Sequence, residues 1–539
     1  MRKLFLLLAV LLVAVLGFSE IVTLTILQTS DIHGNVYPIN YATNKPADSG
    51  LAKIQTLVKQ LRSKDPDLIL IDNGDLTQGT PFTYYHIRKE PTAPNPMIQV
   101  LNLMGYHAGV VGNHEFNYGM GLLSKTAAEA NFPILSANIV RRFTKTPYFE
   151  PYRVLTVKGV RVGILGLTTK YIPNWEDVRN VLDVDFLDPV ETAKVYVPIL
   201  REKEKVDVVI VSYHGGFERD IVTGLPTEEL SGENQGYQLL QEVKGIDLFL
   251  TGHQHRTIVG FCQGVPVLQP SNWGQLVGKA EIKLDNSDKR WIIVSKSVEL
   301  LSVKGVPADE EVLALVRDVE EKTQKWLDTP IGVAKGDFSV VDPLITRMGD
   351  NALLEFINKV QMNISGAKIS STALFTNDIK GWGSGPVTLR DVNAVYIYAN
   401  TLKVIRVTGQ DIKGALERCA DYFTIVDGKI AVNDTWVYPK PQHYNYDVWE
   451  GIDYTLDISK PVGQRVVKLD YEGKPMAMDK EYDVVLNNYR AGGGGNYLMF
   501  QGKPVVKDIM MEVAELMSDY ILERGEIEAT VDGNWKVIH

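Results

Sequence analysis

Cysteine is almost absent: a chain of 539 residues carries only Cys262 and Cys419. That excludes a disulfide framework, and the chain has no zinc-finger or Cys-x-x-Cys redox spacing. Each thiol is expected to pack as a small buried hydrophobe. Beyond the first nineteen residues no stretch is long and apolar enough to span a bilayer, which excludes a multi-span membrane protein. Positive charge is in deficit, with 56 Lys and Arg against 66 Asp and Glu and a net charge of −10. Counterion release needs clustered Lys and Arg, so the chain is not a general nucleic-acid coat. Small phosphorylated substrates are not excluded, because a metal or a few local cations can hold a phosphate on an acidic protein. No internal repeat and no low-complexity tract is found. What is present is an ordinary globular composition, 45% hydrophobic and 23% charged, long enough for about three or four units of roughly 150 residues each.

The N-terminus has the pattern of an export signal. Arg2 and Lys3 precede an unbroken apolar run from Leu4 to Leu16, and Gly17-Phe18-Ser19 offers a small-residue cleavage site. The run is shorter than the about 20 residues a spanning helix needs. The alternative is an uncleaved N-terminal anchor. With residues 1–19 removed, the mature chain would carry about −12 and lie in the periplasm or outside the cell.

From Glu20 to about Ser302, short β-rich apolar runs alternate with helical stretches and polar loops. Ile21 to Leu27, Leu68 to Ile71, Gly109 to Val111, Val160 to Leu165, Val206 to Val211 and Asp247 to Leu250 read as buried strands. Leu51 to Val58 has helical spacing between two of them. This alternation predicts an α/β domain over residues 20–302. The run Asp309 to Leu327 carries Val312, Leu315, Val316, Val319 and Trp326 on one helical stripe, with acids early and Lys322 and Lys325 late. It predicts a linker helix, within residues 303–328, packed between two domains. Residues 329–539 read as a mixed α+β domain with a helix near Asp350 to Val360, a strand near Thr401 to Val407 and a glycine cluster at 492–495.

Histidine placement is the strongest chemical signal. Of nine histidines, five fall in polar clusters directly after strands: Ser30-Asp31-Ile32-His33-Gly34, Gly112-Asn113-His114-Glu115-Phe116-Asn117, Tyr213-His214-Gly215-Gly216 and Gly252-His253-Gln254-His255. Asp72-Asn73-Gly74-Asp75 adds carboxylates at a fifth strand end. Ligands bind outside the carboxyl ends of strands in open α/β sheets. His86, His107, His443 and His539 stand outside such clusters and read as structural or surface residues. Imidazole, carboxylate and amide oxygen together suit divalent ions of borderline hardness, such as Zn²⁺ or Mn²⁺. The donors exceed one tetrahedral shell, so two metals sharing a bridging carboxylate is the economical arrangement, and such a pair serves phosphoryl displacement.

The motifs Ile26-Leu27-Gln28-Thr29-Ser30-Asp31-Ile32-His33-Gly34, Gly74-Asp75, Gly112 to Asn117 and Gly252 to His255, in this order, resemble those of the 5′-nucleotidase family of calcineurin-like dinuclear metallophosphoesterases. The resemblance covers nearly the whole mature chain. It implies a four-layer metallophosphoesterase domain followed by a C-terminal α+β substrate domain, and two divalent metal ions as cofactor. It implies Asp31, His33, Asp75 and His255 as ligands of one metal, with Asp75 bridging to a second held by Asn113, His214 and His253. His114 resembles the family's catalytic histidine, not a ligand. Tyr398 and Tyr489 resemble the pair that sandwiches a base, and Asn400 a base-contacting amide; by itself each tyrosine reads as core packing.

Two departures bear on the branch. The 5′-nucleotidase branch has Asp three residues after the catalytic histidine, where this chain has Asn117, a group beside the ligands. It also has a Gly-Gly-Gly-x-Arg turn where this chain reads Ser371-Thr372-Ala373-Leu374-Phe375. Asn488-Tyr489-Arg490-Ala491, Tyr444-Asn445-Tyr446-Asp447 and Asp72 to Gly79 look more like bacterial 2′,3′-cyclic-nucleotide 2′-phosphodiesterase/3′-nucleotidases. The expectation is therefore an exported hydrolase of small nucleotides of that branch, with no nucleic-acid polymer, membrane span or protein partner implied. A 5′-nucleotidase or nucleotide-sugar hydrolase on the same scaffold is the nearer alternative, and a non-catalytic nucleotide- or metal-binding protein the remoter one.

Overall fold

The structure is a computed structural model describing residues 21–539 apart from residues 175, 229, 288, 289, 399 and 510. The expected signal segment, residues 1–19, lies outside the described residues. Two six-stranded sheets form the first half. One contains β1 (Ile21–Thr29), β2 (Ile69–Asp72) and β3 (Ala108–Val110), side by side and parallel. The other contains β4 (Val208–His214) and β5 (Leu248–Thr251), also parallel neighbours.

Side-chain alternation along these strands explains the layers. Leu24 and Ile26 of β1, Ile69 and Ile71 of β2, Val208 and Ile210 of β4, and Leu248 and Leu250 of β5 share one core between the sheets. Their neighbours point the other way. Leu27 and Leu70 pack under helices Leu51–Arg62 and Pro96–Met104, whereas Val209, Val211 and Phe249 pack with Val190, Ala193 and Leu239 of two helices on the opposite face. Strands buried on both faces read as continuous apolar runs, which is why they were legible. The result is four layers, helix–sheet–sheet–helix.

The linker departs from one continuous helix. It is two helices, Glu310–Leu315 and Arg317–Leu327, interrupted at Val316 with φ −116° and ψ 16°. The break takes Leu315 off the expected apolar stripe, where it is 43% exposed. Val312, Val316 and Leu327 enter the core of the first half, and Trp326 stacks on Tyr84 at 5.7 Å. Contact with the second half is polar: Arg390 donates to Gln324 Oε1, Asp328 Oδ1 and the carbonyl of Tyr41.

Among the described residues the second half has four sheets around one core. The largest is five-stranded and includes Ile369–Ala373, Leu402–Thr408 and Glu481–Asn487. Helix Ala352–Ser365, capped by Asn351, covers it. Cys262 and Cys419 are both buried and unpaired, and burial pushes each thiol up to about 11.

Candidate metal centre

The carboxyl ends of β1, β2, β3, β4 and β5 converge on one spot. Five of the seven candidate ligands sit there on left-handed backbone: Asp31, His33, Asp75, His253 and His255 have φ of 53°, 50°, 55°, 66° and 55°. Such angles cost a non-glycine residue about 1–3 kcal/mol and persist only where the surroundings over-determine them. Here backbone bonds do so. Asp31 N donates to Gly74 O at 2.9 Å, His33 N to Asp75 O at 2.9 Å and Gly252 N to Gly215 O at 3.1 Å. Two glycines leave the necessary space. A Cβ at Gly112 would fall 2.3 Å from Asp75 Oδ1, and one at Gly252 would fall 2.2 Å from Ser30 Oγ.

The ligand atoms gather in two groups, Asp31 with His33 and His255, and Asp75 with His214 and His253. In the first, His33 Nε2 lies 3.0 Å from His255 Nε2, and Asp31 Oδ1 is 3.4 Å from His255 Nε2. In the second, Asn113 Oδ1 lies 3.0 Å from His214 Nε2 and 2.7 Å from His253 Nδ1. Asp75 connects them. Its Oδ2 is buried without a hydrogen-bond partner, 3.2 Å from His214 Nε2 and 3.9 Å from His33 Nε2.

The imidazoles are oriented from behind. His33 Nδ1 is 2.8 Å from the carbonyl of Gln78, and His214 Nδ1 is 2.7 Å from that of Asn73. A carbonyl only accepts, so each Nδ1 carries a hydrogen and each Nε2 faces inward; burial opposes charge on His214, but the Asp75 carboxylate outweighs it and pushes that ring up to about 10. His253 is reversed, with Nε2 2.9 Å from Glu233 Oε1 and Nδ1 toward Asn113. Ligating histidines are held in this way. Burial, aided by His255, pushes His33 down to about 3 and keeps its ring neutral. Burial opposes charge on Asp31, but the hydrogen bond and charge of His255 outweigh it and leave the carboxyl at about 2. Inward-facing imidazole nitrogens and a buried carboxylate oxygen between them fit a cation, and the donor set suits a divalent one.

His114 stands beside the two groups. Its ring centroid is 5.3 Å from that of His33, its backbone N donates to Asp75 Oδ1 at 2.8 Å, and its Nδ1 meets Asn117 Oδ1 at 2.7 Å. All seven candidate ligands, His114 and Asn117 are thus brought together.

A cavity of about 800 Å³ extends from this centre to the second half, and Tyr398, Asn400 and Tyr489 line it with His114, Asn117 and His255. Tyr398 packs edge-on against Phe375 at 5.2 Å and Tyr444 at 6.2 Å. The ring of Tyr489 lies over Gly494, where a Cβ would come within 2.6 Å of it, so the glycine cluster makes room for that ring. Among the described residues, Tyr398 and Tyr489 make no ring contact with each other. Asn400 Nδ2 is 3.3 Å from Asn488 Oδ1.

Several residues of the site escaped the sequence reading. Glu115 is half-buried and accepts from the backbone N of Asp75, Leu76 and Gly112 at 2.7–2.9 Å, clasping two candidate ligand loops. Its place inside the His114 cluster was the available signal. Glu233 and Glu176 come from long loops without one. Asp72, at the end of β2, is a brace: it accepts from Thr29 Oγ1 at 2.8 Å, and burial pushes it up to about 8. Tyr444 lines the cavity, as does His443, read as structural, which is held by Tyr422 OH at 2.7 Å and Asn377 Nδ2 at 3.1 Å.

A two-sheet sandwich with these donors at its strand ends defines a metal-dependent phosphoric ester hydrolase, and comparison with known proteins agrees. Residues 24–257 match the calcineurin-like phosphoesterase family and residues 330–502 the 5′-nucleotidase C-terminal domain. The 2′,3′-cyclic-nucleotide 2′-phosphodiesterase/3′-nucleotidase of Haemophilus influenzae is 30% identical, over 96% of this chain and 88% of that protein. The trifunctional nucleotide phosphoesterase protein YfkN of Bacillus subtilis is 28% identical over 96% of this chain, which spans only 39% of that longer protein. A Staphylococcus aureus structure assigned as a 5′-nucleotidase, solved with alpha-ketoglutarate, superposes with a TM-score of 0.86 at 34% identity, covering 96% of this chain and all of that one. The chain belongs to the 5′-nucleotidase family of calcineurin-like metallophosphoesterases.

Proposed function

We propose that the chain is an exported, dinuclear-metal nucleotide phosphohydrolase, acting as a 2′,3′-cyclic-nucleotide 2′-phosphodiesterase and 3′-nucleotidase. One observation carries this reading: the two ligand groups and the aromatic wall of Tyr398 and Tyr489 face a single cavity. In this reading residues 20–302 form the phosphoesterase domain, 303–328 the linker and 329–539 the nucleotide-binding domain. Asp31, His33 and His255 would hold one ion and Asn113, His214 and His253 the other, with Asp75 offering a carboxylate to both and zinc or manganese suited to the donors. A pair of divalent ions contributes Lewis acidity and lowers the pKa of water at phosphorus.

The remaining work belongs to side chains. Tyr398 and Tyr489 clamp the base and Asn400 contacts its edge. His114, fixed through Nδ1, offers Nε2 to the oxygen that leaves phosphorus. One water opens the cyclic diester at the P–O2′ bond, giving a 3′-nucleotide, and a second releases phosphate and nucleoside.

The branch is supported by the Haemophilus relative's activity and by two features of the cavity. Asn117, a neutral amide, faces His114 where a carboxylate would add charge. The stretch matched to the Arg turn begins in the buried strand Ile369–Ala373 and runs on to Phe375, which packs on Tyr398. Export is supported by the signal-like residues 1–19; among the described residues no helix is long and apolar enough to cross a membrane.

A panel of 2′,3′-cyclic, 3′- and 5′-nucleotides with product identification tests the reading. It predicts a higher kcat/KM for cyclic nucleotides than for 5′-monophosphates, with the 3′-nucleotide as first product. A 5′-monophosphate preferred by tenfold or more, about 1.4 kcal/mol in transition-state stabilisation, would assign the chain to the 5′-nucleotidase branch instead.

A further inference from the structure

Five of the six strands read from the sequence end in chemical clusters. The sixth, Val160–Thr168, leads into a loop and short helical turns. That loop delivers Glu176 behind His114. Glu176 is 7% exposed and also lines the cavity.

The contacts form a chain. His114 Nδ1 is 2.7 Å from Asn117 Oδ1, and Asn117 Nδ2 is 2.7 Å from Glu176 Oε2. The other oxygen of Glu176 accepts from Asn180 Nδ2 at 2.8 Å and from the backbone N of Asp177 at 2.9 Å. Asn180 Nδ2 also lies 3.2 Å from the carbonyl of Asn117. Among the described residues, every hydrogen-bond neighbour of the Glu176 carboxylate is a donor.

We infer that Glu176 is a positioning residue that sets the orientation of the Asn117 amide and, through it, the tautomer of His114. An ionised carboxylate is acceptor-only. It therefore holds the NH₂ group of Asn117 toward itself and turns Oδ1 toward His114. An amide oxygen cannot donate, so Nδ1 of His114 carries the hydrogen, and Nε2 is the nitrogen left to hold or give a proton at the reacting phosphate ester. Without Glu176 the amide can turn over, present NH₂ to Nδ1 and place the hydrogen on Nε2. The negative charge is thus one hydrogen bond removed from the imidazole. This inference rests on the catalytic reading of His114.

The test is a swap. E176Q retains shape but must meet two donors on one side, so its amide NH₂ faces Asn117 and turns that amide over. N117D places two carboxylates in contact. In the double variant N117D/E176Q, Asp accepts from His114 and Gln donates to Asp, which rebuilds a consistent chain. All three are compared with wild type and H114A in the metal-loaded enzyme for kcat, KM, bound metal and the ¹⁵N signals of the imidazoles. E176Q and N117D should each lower kcat by about tenfold or more with KM and metal content unchanged, and the double variant should recover to within a few-fold of wild type, the signature of direct coupling. In E176Q the ring hydrogen of His114 should move from Nδ1 to Nε2. An unchanged kcat and unchanged His114 signals in E176Q, or a double variant no faster than the product of the single losses, would overturn the inference. If H114A itself turned over normally, the catalytic reading of His114 would fall with it; a slow H114A beside a normal E176Q would remove Glu176 alone.

Discussion

Arg490 is laid along Asp447, its Nε 2.8 Å from Oδ2 and its Nη2 3.0 Å from Oδ1, with both side chains 1% exposed. The same guanidinium donates to the carbonyls of Tyr444 and Gly494 and covers the ring of Tyr497 at 3.9 Å. Two stretches that looked distinctive in sequence, Asn488 to Ala491 and Tyr444 to Asp447, are therefore one unit, and Tyr489 and Tyr444 are presented by it. Burial alone would raise the Asp447 carboxyl, and the Arg490 charge opposes that rise.

Breaking this pair should be costly. Arg490→Met leaves a buried carboxylate without its partner and should destabilise the fold by about 3–5 kcal/mol, read from denaturant unfolding. Nucleotide binding should weaken in parallel. Stability within about 1 kcal/mol of wild type, well short of that range, would mean that the pair does not anchor the aromatic wall.

The aromatic wall itself should act on the base and not on the chemistry. Tyr398→Ala and Tyr489→Ala should each weaken nucleotide binding by about 1–3 kcal/mol, the scale of base–aromatic stacking. Hydrolysis of ribose 2,3-cyclic phosphate, which has no base, should scarcely change. Equal losses on both substrates would make the tyrosines structural.

Stability should fall with rising pH through an acidic cluster in the second half. Burial, reinforced by the charges of Asp532, Glu355 and Asp350, pushes Glu450 up to about 8. Among the described residues the only cation bonded into this group is Lys359, on Glu355, while Gly451 N and Asn534 Nδ2 donate to Glu450. A raised folded-state value means that the folded chain retains a proton the unfolded chain has lost. Between the unfolded value of 4.5 and about 8 the unfolded state therefore gains on the folded one, by at most about 1.4 kcal/mol per pH unit for this group. Glu450→Gln should flatten that part of the curve, seen as a higher melting temperature than wild type at pH 8 and little difference at pH 5. Parallel curves for the two proteins would show that Glu450 does not titrate there.

What the sequence made legible was local. A buried parallel strand announces itself by an apolar run, so the polar clusters holding Asp31, His33, Asp75, Asn113, His114, His214, His253 and His255 stood out at strand ends, and only the resemblance divided them into candidate ligands and a candidate catalytic histidine. The alternation of those strands with helices indicated an α/β domain, and its four layers were implied only by the resemblance. Glu176 and Glu233 lay beyond this logic, because loops of irregular length carry them and no periodicity states where a loop returns. The linker's break at Val316 also left no mark, since Val312, Val316 and Leu327 keep helical spacing across it while the backbone there does not. In the second half, Tyr398 and Tyr489 were separable from core tyrosines only by resemblance; their place on one cavity wall depends on strands paired across long sequence distances.

In the proposed centre one carboxylate, Asp75, joins two metal sites, and elemental analysis of Asp75→Asn tests that bridge. In the proposed centre the buried Oδ2, 3.2 Å from His214 and 3.9 Å from His33, would be the atom both sites share. Wild type, stripped with a chelator and reloaded with zinc or manganese, should bind two ions per chain and recover hydrolysis of 2′,3′-cyclic nucleotides. Asp75→Asn should bind fewer and lose activity, because a neutral amide cannot replace a carboxylate between two cations. Two ions and near-normal turnover in that variant would contradict the account.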